Sequence, residues 1–83
     1  MPQVKIYSTS WCAFCRAEKQ FLDQHQVTYE DVDVEKDAAA AAEMMQLSGQ
    51  TGVPFTVITA EGGQQLGILG FDRPKLAAAL GLK

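Results

Sequence analysis

The sequence is poor in the residues that build metal sites and covalent cross-links. Its 83 residues include two cysteines, Cys12 and Cys15, and a single histidine, His25. A structural zinc site needs four such ligands, so the sequence argues against a zinc-binding module, and no bound metal is expected. A disulfide across so short a loop removes little chain entropy, which argues against a purely structural bridge.

Basic residues are also scarce, and long apolar runs are missing. Acidic residues outnumber basic ones by 10 to 7, and the formal net charge is -3. A nucleic-acid-binding domain would be expected to have a basic face, so no nucleic-acid partner is expected. No run approaches the roughly 18 apolar residues of a membrane span, and residues 1–5 lack the pattern of a secretion signal. We expect a cytoplasmic protein with no membrane partner.

What the chain does contain is enough apolar material for a core. Hydrophobic residues make up 47% of the sequence, which argues against disorder. A chain of this length is near the lower end of what folds alone. We therefore expect one domain over residues 1–83, and a monomer as its state.

Periodicity and turn residues predict the element order β-α-β-α-β-β-α. The predicted strands cover residues 4–8, 27–34, 53–59 and 64–69, and the predicted helices end near residue 24, span about 38–47, and follow a cap at Asp72. Ser10 is the expected N-cap of the first helix, and Phe14 is expected on its buried stripe. A parallel first β-α-β unit and a hairpin at residues 60–63 give an α/β fold, with a four-stranded mixed sheet and three helices on both faces.

The two cysteines lie at the predicted junction of the first strand and the first helix. Residues three apart share a helix face, so the two sulfurs can form a disulfide with little backbone movement. Cys12 would lie at the helix N-terminus, where the dipole favours a thiolate, the form that attacks disulfides. Cys15 would be more shielded and suited to resolving a mixed disulfide. The pattern favours redox chemistry.

Three features together resemble the thioredoxin fold. They are the C-x-x-C that opens the first helix, Val53-Pro54 before the third strand, and the glycine turn before the last helix. At this length the chain resembles the glutaredoxins over essentially all its residues. Segments 7–12, 48–54 and 70–72 are similar to small bacterial glutaredoxin-like proteins, a group that includes the redoxins that donate electrons to ribonucleotide reductase.

The resemblance implies that Cys12 is the nucleophile and that Val53-Pro54 is a cis peptide facing the disulfide. It also implies that Gly70 and Asp72 hold the γ-glutamyl end of glutathione, although Asp72 also fits a plain helix cap. The substrate- or glutathione-binding positions that it suggests are Trp11, Phe14, Arg16, Gly52, Val53, Pro54, Gly70, Phe71 and Asp72.

The chain departs from the classical glutaredoxin pattern at several positions. Ala13-Phe14 replaces Pro-Tyr between the cysteines, Thr9 replaces a common lysine, and Leu69 stands where a second glycine is usual. These departures bear on glutathione binding and leave dithiol exchange untouched, so we expect a dithiol-disulfide oxidoreductase without a bound cofactor. It would be reduced either by glutathione or by thioredoxin reductase and NADPH, and would act on protein disulfides or glutathione mixed disulfides.

Other function classes remain open. One is an electron donor to ribonucleotide reductase fed by thioredoxin reductase, and another is a redox sensor without catalytic activity. A third is a module in which glutathione and Cys12 hold an iron–sulfur cluster between two protomers, although relatives of that kind have serine where Cys15 stands. A reductase of the arsenate type would need more arginines than Arg16 and Arg73.

Overall fold

The computed structural model describes residues 2–82 and confirms the predicted order of elements. The elements are β1 (Gln3–Ser8), α1 (Ala13–Gln24), β2 (Glu30–Asp33), α2 (Ala38–Ser48), β3 (Phe55–Thr59), β4 (Gln65–Leu69) and α3 (Arg73–Leu80). The four strands form one sheet in the order β2-β1-β3-β4. Within residues 2–82, no helix is both long and apolar enough to cross a membrane.

The strand directions match the predicted mixed sheet. β1 pairs with β2 in parallel, whereas β1 with β3 and β3 with β4 are antiparallel pairs. Because Tyr7 near the end of β1 is opposite Phe55 at the start of β3, the loop after β1 lies beside the residues that precede β3. This register brings the segment that carries the cysteines next to Pro54.

Each face of the sheet has its own apolar cluster, because side chains alternate between faces along a strand. One cluster contains Val4, Ile6, Leu22, Ile58, Ile68 and Leu76, so α1 and α3 cover that face. The other contains Tyr7, Ala40, Met44, Phe55 and Val57, which places α2 on the opposite face. The predicted arrangement of helices on both faces is confirmed.

The second strand is shorter than predicted. It begins at Glu30, whereas the β-branched and aromatic residues of 27–29 had suggested an earlier start. Val27 and Tyr29 pack against the core cluster, and the Val27 N–H donates to the Leu22 carbonyl at the end of α1. Their hydrophobicity therefore serves packing rather than strand pairing. The third strand likewise begins at Phe55, after Val53-Pro54.

Two predictions about the first helix are wrong. The N-cap is Cys12, and the hydroxyl of the predicted cap, Ser10, donates instead to Glu35 across 3.0 Å. Phe14 is 69% exposed. The buried face of α1 consists of Cys15, Glu18 and Leu22. An i, i+3, i+7 pattern can be read from several starting positions, and the sheet selects the one that begins at Cys15.

Candidate active site

The two cysteines are joined by the hydrogen bond that caps the N-terminus of helix α1. Cys12 has an extended backbone, as N-cap residues do, and its Sγ accepts a hydrogen bond from the Cys15 N–H across 3.1 Å. Both residues are buried, and both are free thiols. The Cys12 sulfur is therefore at the end of the helix where N–H groups and the dipole stabilise a negative charge. The predicted position of Cys12 at the helix start is confirmed.

Cys15 is the more enclosed of the pair, with no exposed surface. Burial raises the pKa of its thiol to about 12, and its hydrogen bond with Cys12 adds to this, while a backbone hydrogen bond from Thr9 opposes it. Near neutral pH, Cys15 is therefore a thiol that must lose a proton before it can act as a nucleophile.

The peptide bond between Val53 and Pro54 is cis, as the resemblance implied. Pro54 is fully buried, and its carbonyl accepts a hydrogen bond from the Gly70 N–H across 2.8 Å. Gly70 has a φ of 77°, which glycine adopts without steric cost. The structure thus brings Val53, Pro54 and Gly70 together beside the loop that follows β1.

Two aromatic side chains lie on the surface next to the cysteines. Trp11 is 67% exposed and Phe14 is 69% exposed. The Trp11 Nε1–H donates to Oε2 of Glu35 across 2.8 Å, which orients the exposed indole ring. Exposed aromatic side chains of this kind are suited to contact with a partner molecule.

Arg16 and Gly52 take part in local contacts with their own segments. Nη1 of Arg16 donates to the Ser10 carbonyl across 3.2 Å, so Arg16 links the first turn of α1 to the preceding loop. The Gly52 N–H donates to Oε1 of Gln50 across 2.9 Å, and a Cβ added to Gly52 would lie 2.7 Å from that same oxygen. Gly52 therefore allows the chain to approach Gln50 before it enters the cis peptide.

The predicted residues that follow β4 have structural contacts of their own. Oδ1 of Asp72 accepts a hydrogen bond from the Lys75 N–H across 3.1 Å, which confirms Asp72 as the N-cap of α3. Phe71 packs edge-on against Phe21, with 5.8 Å between ring centroids. Gly70 is the member of this group that contacts the segment of Pro54. Glutathione binding by Asp72 remains a prediction.

Thr9 and Glu18 are buried polar residues that the sequence did not indicate as part of the site. Glu18 is completely buried on the same helix face as Cys15 and accepts a hydrogen bond from Thr56. Burial raises the pKa of Glu18, and the hydrogen bond with Thr56 opposes this. Its spacing of three residues from Cys15 is the sequence signal for this position. That spacing indicates burial only if Cys15 is taken as the first residue of the buried stripe.

Metal ligands do not converge in the described part of the chain. Over residues 2–82, no group of three or more His, Cys, Asp or Glu side chains is placed to hold a metal ion. What the site does contain is two thiols at a helix N-terminus, a cis-proline segment and exposed aromatic side chains. Such a set of groups can carry out thiol–disulfide exchange.

The known proteins that this chain resembles are glutaredoxins and glutaredoxin-like proteins. The family model named Glutaredoxin matches residues 4–62. A glutaredoxin-like 8.6 kDa protein in the rubredoxin operon of Clostridium pasteurianum is 37% identical over 73 residues, which cover 88% of this chain and 91% of that protein. Glutaredoxin 3 of Escherichia coli is 33% identical over 61 residues, or 74% of each chain.

Solved structures agree in fold. A mutant of a thioredoxin-like protein superposes with a TM-score of 0.82 at 29% identity, over 100% of both chains. The glutaredoxin-like NrdH-redoxin of Escherichia coli gives a TM-score of 0.73 at 26% identity, over 94% of this chain and 93% of that one. The chain therefore belongs to the glutaredoxin family, whose general activity is thiol–disulfide oxidoreduction.

Proposed function

We propose that the protein is a dithiol-disulfide oxidoreductase in which Cys12 attacks the substrate and Cys15 resolves the mixed disulfide. The observation that carries this proposal is the hydrogen bond from the Cys15 N–H to Cys12 Sγ at the first turn of α1. It places one sulfur at the positive end of the helix and the second sulfur one turn further in. The substrates are protein disulfides or glutathione mixed disulfides.

The reaction has two exchange steps. The Cys12 thiolate attacks one sulfur of the substrate disulfide, that S–S bond breaks, and the other substrate sulfur leaves as a thiol after taking up a proton. The Cys15 thiol then loses its proton and attacks Cys12 Sγ, which releases the second substrate thiol and forms the Cys12–Cys15 disulfide. Two electrons have passed to the substrate, and a reductant restores the dithiol.

The surroundings of the cysteines support substrate docking at this end of the molecule. Trp11 and Phe14, which precede and follow Cys12 in the chain, offer exposed apolar area. In our proposal the Val53 backbone pairs with an extended substrate segment, while Gly70 and the Asp72 carboxylate bind glutathione. Asp72 can cap α3 and also bind glutathione, because its capping bond uses Oδ1 and its side chain is 34% exposed.

Two electron sources are compatible with the family, and they define two versions of the function. Reduction by glutathione would make the protein a glutaredoxin in the strict sense. Reduction by thioredoxin reductase would make it an electron donor of the ribonucleotide-reductase type, which the likeness to NrdH-redoxin supports. Iron–sulfur cluster binding is the less favoured alternative, because Cys15 provides a second thiol where cluster-binding relatives have serine.

A coupled assay separates these versions. NADPH oxidation is followed with a small disulfide substrate, in one cuvette with glutathione and glutathione reductase and in another with thioredoxin reductase alone. Turnover in one cuvette identifies the electron source. Cys12→Ser is expected to abolish turnover, and Cys15→Ser to accumulate the mixed disulfide, which mass spectrometry detects. Turnover by Cys12→Ser, or its absence in both cuvettes, would contradict the proposal.

A further inference from the structure

Helix α1 buries an ionisable side chain that the two exchange steps do not yet use. Glu18 has no exposed surface, and among residues 2–82 no other acidic or basic residue is buried. A carboxyl group at a core position costs free energy that an apolar residue would not. Its presence on the helix that carries both cysteines therefore calls for a chemical explanation.

The geometry places this carboxyl group one helical turn from the resolving thiol. Cys15 and Glu18 are three residues apart and both fully buried, so they share one face with about 5–6 Å between their Cβ atoms. Thr56 donates a hydrogen bond to Oε2 of Glu18, which ties the carboxyl group to β3 two residues after Pro54. The other oxygen, Oε1, is buried and has no hydrogen-bond partner.

The chemistry at Cys15 requires a proton acceptor. Its thiol is fully buried, and its pKa is raised to about 12 by that burial, so ionisation by solvent is unfavourable. Thr9, whose backbone hydrogen-bonds to Cys15, has the other unpartnered buried side-chain oxygen in the described chain, Oγ1. Neither a threonine hydroxyl nor a backbone amide accepts a proton near neutral pH, whereas a carboxylate does.

The other charged groups near α1 have ionic or aromatic partners of their own. Lys19 pairs with Asp31 of β2 across 2.7 Å, and its positive charge also lowers the pKa of the Cys15 thiol, against the larger effect of burial. On α3, the other helix of this face, Asp72 lies 3.9 Å from Lys75 Nζ, and Arg73 lies over the rings of Phe21 and Phe71. From β3 the group that contacts Glu18 is the non-titrating Thr56. Among the carboxyl groups near α1, Glu18 is the one that shares the buried helix face of Cys15.

We propose that the Glu18 carboxylate accepts the Cys15 proton in the resolving step, an assignment that rests on the proposed function. The Cys15 S–H bond breaks, its proton goes to Glu18, and the sulfur electron pair forms the bond to Cys12 Sγ. The bond between Cys12 and the substrate sulfur breaks, and that sulfur leaves with the electron pair. Glu18 later returns the proton when the disulfide is reduced again.

One absorbance time course can measure the rates of the two exchange steps separately. The reduced protein is mixed with the chromogenic disulfide dithiobis(nitrobenzoate), which releases one thionitrobenzoate when Cys12 reacts and a second when Cys15 resolves the mixed disulfide. Glu18→Gln keeps the shape of the side chain and its bond from Thr56. We expect an unchanged first phase and a second phase slowed by about 10-fold or more at neutral pH.

The pH profile distinguishes proton transfer from a structural role. The wild-type second-phase rate should rise with pH and level off above the pKa of Glu18, which infrared spectroscopy of its carboxyl band measures independently in the folded protein. The Glu18→Gln rate should rise without that plateau. Glu43→Gln, which alters an exposed carboxylate of α2, should leave both phases unchanged and serves as the control.

Different results would overturn the role of Glu18 and the dithiol mechanism on which that role rests. Identical second-phase rates and pH profiles in wild type and Glu18→Gln would overturn the role of Glu18. So would a wild-type plateau that does not coincide with the pKa of the carboxyl band that Glu18→Gln removes from the infrared spectrum. Absence of a second phase in the wild-type protein would instead overturn the dithiol mechanism itself.

Discussion

Cys15 donates its backbone N–H to the sulfur of Cys12 across 3.1 Å, so the proposed nucleophile is also the N-cap of helix α1. In a helix cap the side chain satisfies one of the backbone donors that the first turn leaves free. The group that stabilises the helix start is here the group that would attack the substrate. Stability and reactivity of this end of α1 are therefore linked through one atom.

This link can be tested with two substitutions at the same position. Serine is among the best N-cap residues and alanine among the poorest, so we expect Cys12→Ala to be less stable than Cys12→Ser by about 1 kcal/mol. Both variants should lose disulfide reduction. Urea unfolding under reducing conditions measures the difference. Equal free energies of unfolding would show that the capping hydrogen bond does not contribute to stability.

Two substitutions at Asp72 can distinguish its role as a helix cap from a role in glutathione binding. Its Oδ1 caps α3, so Asp72→Ala should lower the free energy of unfolding by about 1 kcal/mol. Asp72→Asn keeps a capping oxygen but removes the charge, and should retain stability. If the carboxylate also binds glutathione, we expect Asp72→Asn to raise KM for a glutathione mixed disulfide about 10-fold, the loss of one charge-assisted hydrogen bond. An unchanged KM would leave Asp72 as a helix cap only.

The burial of Glu18 predicts a pH dependence of stability. Its pKa in the folded protein is raised above 4.5 by desolvation, so the folded state holds the proton more tightly than the unfolded state does. The contribution of Glu18 to stability should be fully present below the unfolded pKa and should be lost as pH rises through the folded pKa.

Urea unfolding of wild type and Glu18→Gln at several pH values between 4 and 8 measures this contribution, because other carboxyl groups cancel in the comparison. The wild-type protein should lose stability relative to Glu18→Gln as pH rises. A difference that stays constant across this range would mean that Glu18 has an ordinary pKa.

Gly67 in β4 lies directly against a core ring. A Cβ at this position would lie 2.8 Å from Cζ of Phe55, which is buried and stacks with Tyr7. We expect Gly67→Ala to reduce the free energy of unfolding by about 1–3 kcal/mol, the usual range for overpacking. At Gly62 an added Cβ meets no atom within 4 Å, so Gly62→Ala should stay within about 0.5 kcal/mol of wild type. Thermal unfolding compares the two, and similar losses would contradict the packing argument.

The amino-acid sequence by itself determined the order of elements and the position of the thiols. Alternating apolar residues predict strands and a 3.6-residue period predicts helices, since each reflects local backbone geometry. The cap at Asp72 follows the same local rules, and the structure contains it. Local chemistry also placed Cys12 and Cys15 at a helix start.

The tertiary structure decided which face of each element is inside. Phe14 and Cys15 are neighbours in the sequence, and the sheet buries the cysteine while it leaves the aromatic ring in solvent. Val27 and Tyr29 resemble strand residues, yet they pack against the core without pairing. From the sequence alone, Glu18 would be taken for a surface residue. Its burial depends on β3, because its partner Thr56 is 38 positions away in the chain. Contacts between distant segments depend on strand register and helix packing, and no local pattern encodes them.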